Sequence, residues 1–540
     1  MFCGGATAEL SAPPTGAALT VTQTLTEWLD DLAARHGDRP ALIFGETAQG
    51  FADLSERSRS IAAGLAQRGV GRGDTVAVWL LNEPDWLAVF FASVRIGAIV
   101  MAVNTRFRVT ELADMIGRTR PRAIFYRPRL GSVDFAKLIA DAVARVDVPP
   151  ILEVSVGPDT GAASLSLEDL SRHGENVDAT GPVSTDGAVM FATSGTTSAP
   201  KLVLHSHRSI VDHAGDVASD FVMAGRETMM LQALPYCGVF GFCQAMAALA
   251  AGRPSVVMDK FDPDMAARLI ADRQVTHFNA TDDMLTAIAE ASTPAMRTSL
   301  RLVGAASFNR GPEVLESLAA DHGLPIVGLY GMSEVQALYA RRDTGDLPAQ
   351  RFRGGGRPVS RRAAIRVRDP ESGKTLMAGE SGELELRGPG VLKAYYGDPA
   401  ATASVITEDG YIRTGDLGFL DQDGGFTFES RMGDALRLGG FLVNPDEISG
   451  FIESIGGIAA CVVVGVRVEG RPRAAAFVKT RGISAFDPEQ VLKRCRESLA
   501  PFKVPAIVHA LDEFPVADGP NGIKVQRGEL RRIAGELLEQ

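Results

Sequence analysis

The chain has 540 residues, which exceeds the size of one hydrophobic core, so at least two domains are expected. Apolar residues make up 45% and charged residues 22%, the balance of an ordinary globular protein. The net charge of −11, without a basic run, argues against a nucleic-acid-binding protein, so any anionic ligand requires positive groups concentrated at its site.

The cysteines and the apolar segments argue against a secreted or membrane-spanning protein. Five cysteines occur without C-x-x-C pairs, which predicts a reduced, cytoplasmic protein without a disulfide or zinc framework. Residues 1–22 lack the basic and apolar regions of a signal peptide, so we expect a flexible tail. The longest apolar stretch, 86–103, contains Arg95 and Gly97 and predicts a buried helix followed by a strand.

Helices and strands alternate over the first two thirds of the chain. An amphipathic helix is predicted over 24–35, with Thr24 and Glu27 as a capping box. A buried strand at 75–81, a helix capped by Asn82 and a strand at 99–103 follow, and similar units recur over 229–258 and 275–329. This alternation predicts an α/β fold with parallel sheets covered by helices, whose ligands lie beyond the carboxyl ends of the strands.

The pattern changes after about residue 360. Short strands rich in Gly, Asp and Glu, such as 382–387 and 424–428, favour a β-rich subdomain. Strand and helix signals return from about residue 433 and predict a small α+β domain. We therefore expect an N-terminal core at 23–432, with the β-rich subdomain at about 360–432, and a C-terminal domain at 433–540.

The segment Phe-Ala-Thr-Ser-Gly-Thr-Thr-Ser-Ala-Pro-Lys at 191–201 follows a predicted apolar strand. Gly195 permits a tight turn that brings backbone N–H groups close to oxygens, hydroxyls donate to those oxygens, and Lys201 adds positive charge. The spacing is not that of a Walker A loop. The composition indicates a polyphosphate-binding loop, although a polar surface turn has the same composition.

Three later segments offer the other groups that a nucleotide site needs. Tyr-Gly-Met-Ser-Glu at 330–334 ends in Glu334, whose carboxylate suits Mg²⁺ but is equally typical of a solvated loop. Asp416 follows a glycine turn and suits a ribose diol, although such turns are common. Lys524 ends the turn Gly-Pro-Asn-Gly-Ile-Lys, and a single surface lysine is ordinarily just solvated.

In this order, these segments resemble the acyl-adenylate-forming superfamily: acyl- and aryl-CoA synthetases, nonribosomal-peptide adenylation domains and luciferases. The resemblance covers about 25–538 and is strongest to carboxylate–CoA ligases. It includes Leu-Pro at 234–235, Lys-Phe-Asp-Pro at 260–263, Gly-Pro at 388–389 with Tyr395, and the segments 430–440 and 501–505. It implies a large N-terminal domain of two mainly parallel αβαβα-type sheets plus the β-rich subdomain, and a small, mobile C-terminal domain.

The resemblance also implies roles for the matching residues. Lys524 is the expected catalytic lysine, Glu334 the Mg²⁺ ligand, and Ser333 the hydroxyl that approaches the α-phosphate. The residues expected to bind ATP or AMP are Thr193, Ser194, Gly195, Thr196, Thr197, Lys201, Gly304, Ala305, Ala306, Ser307, Tyr330, Gly331, Met332, Ser333, Asp416 and Arg431.

The acyl pocket and the hinge contain the departures from the family pattern. Gly238 stands where an aromatic residue or His is common, which predicts a wider pocket. Gly433 stands at the expected pivot of the mobile domain, where Asp or Lys is usual. The expected pocket residues are Tyr236, Gly238, Val239, Asn279 and Asp283, and those of the hinge and CoA tunnel are Gly433, Gly439 and Gly440.

A helix start and two histidines each have two interpretations, and one apolar residue has a single one. Asp282 falls where Pro is common in the family. One interpretation is that a polar or long substrate group meets Asn279, Asp282 or Asp283. The other, which we favour, is that Thr281 or an Asp caps a helix. For His205 and His207 we favour packing and hydrogen bonding over catalysis. Leu202, where glycine is common, is predicted to be a packing residue.

The resemblance implies an AMP-forming acid–CoA ligase that uses ATP, Mg²⁺ and coenzyme A on a hydrophobic, fatty or aryl, acid. The alternatives are an enzyme that loads a carrier protein in trans and a non-catalytic nucleotide-binding protein. The expected partners are small molecules and an acyl carrier protein as the alternative acceptor, without nucleic acid or a membrane span, and the expected state is a monomer or homodimer.

Overall fold

The computed structural model describes residues 23–131, 133–157, 165–172, 181–193, 200–223, 225–307, 311–432, 436–438, 441–443, 445–468, 471–481, 486–499, 503–519 and 522–539. These residues separate into two compact units. The large unit comprises 23–364 and 386–412, and the small unit comprises 365–385 and 413–539.

The described helices and strands run as follows. The α-helices are α1 Leu25–His36, α2 Phe51–Ala66, α3 Pro84–Arg95, α4 Val109–Thr119, α5 Phe135–Val143, α6 Leu167–Arg172, α7 His207–Asp220, α8 Val239–Ala250, α9 Pro263–Asp272, α10 Asp282–Ala291, α11 Pro312–His322, α12 Pro348–Arg351, α13 Pro399–Val405, α14 Pro445–Glu453, α15 Pro488–Ser498 and α16 Arg527–Glu539, with 3₁₀ helices at Pro294–Arg297 and Ser333–Val335. The strands are β1 Pro40–Phe44, β2 Thr47–Gly50, β3 Thr75–Trp79, β4 Ile99–Ala102, β5 Ala123–Tyr126, β6 Arg129–Leu130, β7 Val133–Asp134, β8 Leu152–Ser155, β9 Leu165–Ser166, β10 Gly187–Ala192, β11 Leu202–Ser206, β12 Met230–Gln232, β13 Ser255–Val257, β14 His277–Thr281, β15 Leu302–Ala306, β16 Ile326–Tyr330, β17 Ala340–Arg341, β18 Gly355–Pro358, β19 Ala364–Arg368, β20 Gly382–Arg387, β21 Ala394–Tyr395, β22 Ile412–Leu420, β23 Phe426–Arg431, β24 Leu436–Leu438, β25 Phe441–Val443, β26 Ile458–Val468, β27 Arg471–Thr480, β28 Ile507–Ala510, β29 Val516–Gly519 and β30 Gly522–Val525.

Two mainly parallel sheets form the frame of the large unit. One has the strand order β18-β17-β16-β15-β14-β12-β13-β1-β2, and the other has the order β21-β11-β10-β4-β3-β5-β8-β9. The inner strands of both are parallel, whereas β2, β11, β17, β18 and β21 pair antiparallel at the edges. The predicted α/β fold class is confirmed.

Buried side chains show why the sheets form layers with helices. One apolar cluster joins an inner face of each sheet through α3 and α8, and α8 is buried on nearly every side because it carries almost no polar residue. Helices α9, α10 and α11 cover the outer face of the first sheet, and α4 and α5 that of the second. Within its described residues, the large unit therefore has an α/β/α/β/α arrangement.

The local signals predict the start of α1 but not the cap of α3. Helix α1 begins with the predicted capping box, in which Thr24 and Glu27 bond each other's backbone N–H groups. Leu202 is fully buried in the core, as predicted. Asn82 does not cap α3: the N-cap is Glu83, and the Asn82 side chain bonds a distant segment instead.

The small unit contains short antiparallel pairings and an α+β part. Strands β22 and β23 pair antiparallel, β26, β27 and β28 form a sheet against which α14, α15 and α16 pack, and β29 pairs with β30. In the described part of the chain, no helix is long and apolar enough to cross a membrane.

Candidate active site

Strands β14, β15 and β16 end at the same edge of the first sheet and carry several of the predicted nucleotide residues there. They are parallel neighbours, and their register places Asn279 beside Gly304 and Ala305 beside Gly328. Their carboxyl ends lead into Ala306–Ser307 and into Tyr330 and the loop that follows it. The sequence-predicted segments 304–307 and 330–334 therefore lie side by side, where α/β folds bind ligands.

The loop after Tyr330 has a tightly constrained backbone. A Cβ atom on Gly331 would lie 1.4 Å from the carbonyl oxygen of Ala337, so only glycine fits there. Gln336 and Ala337 adopt left-handed conformations with φ of 58° and 57°, which cost energy for residues with a side chain. The surroundings must hold this loop in place, and Glu334 lies at its centre.

Glu334 is 8% exposed, and its carboxylate is held on one side. Its Oε1 accepts a hydrogen bond from the Tyr395 hydroxyl at 2.8 Å, and its backbone oxygen accepts one from Leu392 N at 2.7 Å. Among the described residues, no group donates a hydrogen bond to Oε2. Glu334 therefore presents one fixed carboxylate oxygen that remains available.

Two buried histidines hold the same loop by its carbonyl groups. His205 Nε2 lies 2.8 Å from the carbonyl oxygen of Ser333, and His213 Nε2 lies 3.0 Å from that of Gln336. Burial lowers the pKa of both imidazoles to about 4, so they are neutral at pH 7 and donate through Nε2–H. The preferred interpretation of His205 as a hydrogen-bonding residue agrees with this geometry, and its partner is 128 positions away.

His205 is expected to make stability depend on pH. Because its folded pKa is about 4 and an unfolded His titrates near 6.5, the unfolded chain binds the proton first. Stability is therefore lost as pH falls through this window, by about 2 kcal/mol per such histidine between pH 7 and pH 5. His205→Gln keeps a donor near the Nε2 position, so urea unfolding should give near-wild-type stability at pH 7 and a smaller loss at pH 5. Equal losses in both proteins would contradict the assignment.

The base of the predicted phosphate loop is described, and residues 194–199 lie outside the described residues. Thr193 N donates to the carbonyl oxygen of Lys201 at 2.9 Å, which closes the loop at its base. The Lys201 ammonium lies 4.5 Å from the ring centroid of Tyr395. Thr193 and Lys201 thus stand where β10 ends and β11 begins. The phosphate-binding roles of Ser194, Gly195, Thr196 and Thr197 remain predictions.

Asn82 clamps the segment that opens the predicted acyl pocket. Its Nδ2 donates to Leu234 O and its Oδ1 accepts from Tyr236 N, both at 2.7 Å and both buried. A Cβ on Gly241 would meet the Leu234 and Pro235 carbonyl oxygens at 2.5 and 2.4 Å, so α8 approaches this segment closely. Gly238 is the N-cap of α8 and Val239 its first residue, and both are buried.

Removing this clamp should destabilise the fold. Asn82→Ala leaves a buried carbonyl and a buried N–H unpaired, which we expect to lower the free energy of unfolding by about 2–5 kcal/mol. Asn104 is similarly buried, but its Oδ1 accepts a local hydrogen bond from Arg106 N, so Asn104→Ala is a suitable control with a smaller loss. Urea unfolding of both variants tests this, and equal losses would contradict the clamp.

The polar residues of the predicted acyl pocket differ in burial and in hydrogen-bond partners. The Tyr236 hydroxyl and Asn279 Nδ2 are buried without a hydrogen-bond partner among the described residues, and burial raises the pKa of Tyr236. Thr281 is the N-cap of α10, as the preferred interpretation predicts, and its side chain accepts from Met284 N. Asp282 is fully buried, and Asp283 is exposed on the first turn of α10. A pocket role for Asp283 remains a prediction.

Asp416 and Arg431 face each other within the small unit. They are paired across β22 and β23, and Arg431 Nε lies 3.0 Å from Asp416 Oδ1. Lys524 pairs with Ala517 across β29 and β30. Gly433, Gly439 and Gly440 lie outside the described residues.

The residues present fit a magnesium ion that is shared with a ligand. Glu334 supplies a carboxylate, a hard oxygen donor, and its Oε2 receives no hydrogen bond from the described residues. Throughout the described ranges, no group of three or more His, Cys, Asp or Glu side chains could hold a metal by itself. Magnesium in nucleotide sites typically uses one or two carboxylates together with phosphate oxygens and water.

Residues 29–396 match the AMP-binding enzyme family, and residues 447–517 match the AMP-binding enzyme C-terminal domain. The chain belongs to this family. The resemblance to the acyl-adenylate-forming superfamily is thereby confirmed, and the ligase-like assignment with it.

Relatives of this chain match nearly its whole length. Pyochelin synthase PchD of Pseudomonas aeruginosa is 30% identical over 95% of this chain and 93% of its own. Feruloyl-CoA synthase of an Amycolatopsis species is 29% identical over 95% of this chain and 99% of its own. The crystal structure of ATP-bound MatB from Rhodopseudomonas palustris superposes with a TM-score of 0.83 at 26% identity, covering 96% of this chain and all of that one.

Several residues of this AMP-binding enzyme that hold the site have no site role that their sequence context indicates. Tyr395 belongs to the resemblance without an implied role, His213 lies in no motif, and Asn82 is predicted to cap a helix. Their partners are distant in sequence: Glu334 is 61 positions from Tyr395, and Leu234 is 152 from Asn82. The Tyr-Tyr pair at 395–396, just before a Gly-Asp-Pro turn, was the signal available for Tyr395.

Proposed function

We propose that this AMP-binding enzyme is an ATP-dependent acid–CoA ligase. The observation that carries the proposal is one local cluster in the large unit. Tyr395 contacts both the carboxylate of Glu334 and the ammonium of Lys201, beside the end of β16. This cluster suits a nucleoside triphosphate. It offers a fixed carboxylate for a metal and a cation for the phosphates, at the carboxyl edge of a parallel sheet. The ATP-bound MatB structure supports the same ligand.

The first half-reaction joins the acid to AMP. A carboxylate oxygen of the acid attacks the α-phosphorus of ATP, the bond to the β-phosphate oxygen breaks, and pyrophosphate leaves. Glu334 would hold a Mg²⁺ ion there, and that ion would neutralise negative charge on the phosphate oxygens. Lys201 and the hydroxyls of the 193–201 loop hold the departing pyrophosphate, and Ser333 donates near the α-phosphate. Negative charge spreads in this transition state, so fixed donors supply most of the catalysis.

Asp416, Arg431, Lys524 and Gly433 are assigned the remaining roles. Asp416 accepts hydrogen bonds from the ribose hydroxyls, and Arg431, its ion-pair partner, orients its carboxylate. Lys524 bridges the acid carboxylate and the α-phosphate. Gly433 is assigned as the pivot of the C-terminal domain, because glycine accepts a wide range of φ and ψ. Rotation about it would withdraw Lys524 after the first half-reaction and admit the thiol for the second.

The second half-reaction transfers the acyl group to a thiol. The thiol loses its proton to solvent, its sulfur attacks the acyl carbonyl carbon, the bond from that carbon to the AMP phosphate oxygen breaks, and AMP leaves. Gly439 and Gly440 are assigned to the pantetheine path. Coenzyme A is the favoured acceptor because feruloyl-CoA synthase is a relative over nearly the full chain. A carrier protein loaded in trans is the second candidate.

The acid is a hydrophobic one, fatty or aryl. Tyr236, Gly238 and Val239 offer an apolar wall, and glycine at 238 leaves room for bulk. The buried Nδ2 of Asn279, unpartnered among the described residues, favours an acid with a hydrogen-bond acceptor. The relative named for feruloyl-CoA supports an aryl acid.

A pyrophosphate-release screen over fatty, aryl and amino acids tests the first half-reaction. Acids that score are then incubated with ATP and either CoA or a carrier protein, and the products are identified by mass spectrometry. A thioester with CoA supports the proposal. Pyrophosphate release with transfer only to the carrier would favour the second candidate, and no release across the panel would contradict both.

A further inference from the structure

Tyr395 touches two oppositely charged groups of the candidate site. It lies on the edge strand β21, is 4% exposed, and pairs with Val203 of β11. Its hydroxyl donates to Glu334 Oε1 at 2.8 Å, and the Lys201 ammonium lies 4.5 Å from its ring centroid. One side chain thus holds the carboxylate with its polar end and the ammonium with its ring.

The backbone around Tyr395 is fixed independently of its side chain. Leu392 N donates to Glu334 O at 2.7 Å, Lys393 N to Leu204 O at 2.8 Å, and Tyr396 N to Leu202 O at 2.8 Å. These bonds tie β21 to β11 and to the Glu334 loop whatever residue stands at 395. Removal of the phenol oxygen alone should therefore leave the frame in place.

A phenol side chain can contact both Glu334 and Lys201 while keeping the two charged groups from pairing with each other. A neutral hydroxyl orients a carboxylate without cancelling its charge, and the π-face attracts an ammonium without offering it a competing anion. A direct ion pair between Lys201 and Glu334 would instead occupy both groups before a ligand arrives. We propose that Tyr395 is a positioning residue that keeps Glu334 directed to the metal and Lys201 directed to the phosphates. This inference rests on the proposed function.

Two substitutions separate the two contacts. Tyr395→Phe keeps the ring and removes the hydroxyl, so the Mg²⁺ concentration for half-maximal ATP binding should rise about tenfold while metal-free ATP binding stays unchanged. Tyr395→Leu removes both contacts, so metal-free ATP binding should also weaken, by about two- to fivefold. Tyr396→Phe, at the neighbouring tyrosine, is the matched control and should behave as wild type.

Binding of labelled ATP by equilibrium dialysis over a MgCl₂ series, without acid or thiol, measures this directly. Glu334→Gln alone and combined with Tyr395→Phe completes a double-mutant cycle, and the Tyr395→Phe effect should vanish when Glu334→Gln is already present. Thermal denaturation is measured on each variant.

The outcomes distinguish this inference from the proposed function. If ATP binding by Tyr395→Phe depends on Mg²⁺ as it does in the wild type, the positioning role of Tyr395 is overturned and the proposed function is not affected. If Tyr395→Phe weakened metal-free and metal-dependent ATP binding equally and lowered the melting temperature, that structural effect would also overturn it. Wild-type protein that binds no ATP overturns both proposals.

Discussion

Lys524→Ala is expected to reduce pyrophosphate release by about 10²–10³-fold, since loss of one donor to a developing negative charge typically has this effect. The same variant should convert a supplied acyl-adenylate and CoA into thioester at close to the wild-type rate. The reason is that the lysine is assigned only to the step in which the carboxylate attacks the α-phosphorus. Rates of both half-reactions, measured separately, test this.

Lys493→Ala is the matched control, since Lys493 is exposed on α15 of the same unit. It should leave both half-reactions unchanged. Unchanged pyrophosphate release in Lys524→Ala would refute the assigned mechanism. An equal loss in both half-reactions would place Lys524 in a role other than the one proposed.

Glu334→Gln is expected to lower kcat/KM for ATP by about 10²-fold or more, beyond the 10–100-fold that loss of an outer-shell partner costs. An amide oxygen is a neutral and weaker ligand for a hard cation than a carboxylate. Because the Tyr395 hydroxyl can still donate to the amide oxygen, the loop should keep its conformation. Raised Mg²⁺ should recover part of the activity.

Glu316→Gln, on the exposed face of α11, controls for the general loss of one negative charge. Steady-state kinetics over a MgCl₂ series and a melting curve for each variant make the comparison. If Glu334→Gln kept full activity at low Mg²⁺, Glu334 would not be the metal ligand. A large fall in melting temperature would show that the carboxylate serves the fold instead.

Much of the fold follows from patterns that are local in sequence. The capping box at Thr24 and Glu27 fixes the start of α1, and the alternation of strands and helices predicts the parallel sheets. Because the carboxyl ends of neighbouring parallel strands meet at one edge of the sheet, 304–307 and 330–334 are expected to lie together, and the strand pairing agrees. The rotation of the C-terminal domain and the roles of 194–197, 433 and 439–440 remain predictions, because those residues lie outside the described ranges or their roles involve both units.

The family, the α/β class and the residue types that nucleotide chemistry requires can be read from the amino-acid order, because these depend on spacing within short segments. How these residues are held depends on contacts between distant segments. Asn82 clamps a segment 152 positions away, His205 bonds the backbone of Ser333, and Tyr395 stands between Glu334 and Lys201. Each of these groups could equally have capped a helix or filled a core, and the choice depends on which strand ends the fold brings side by side.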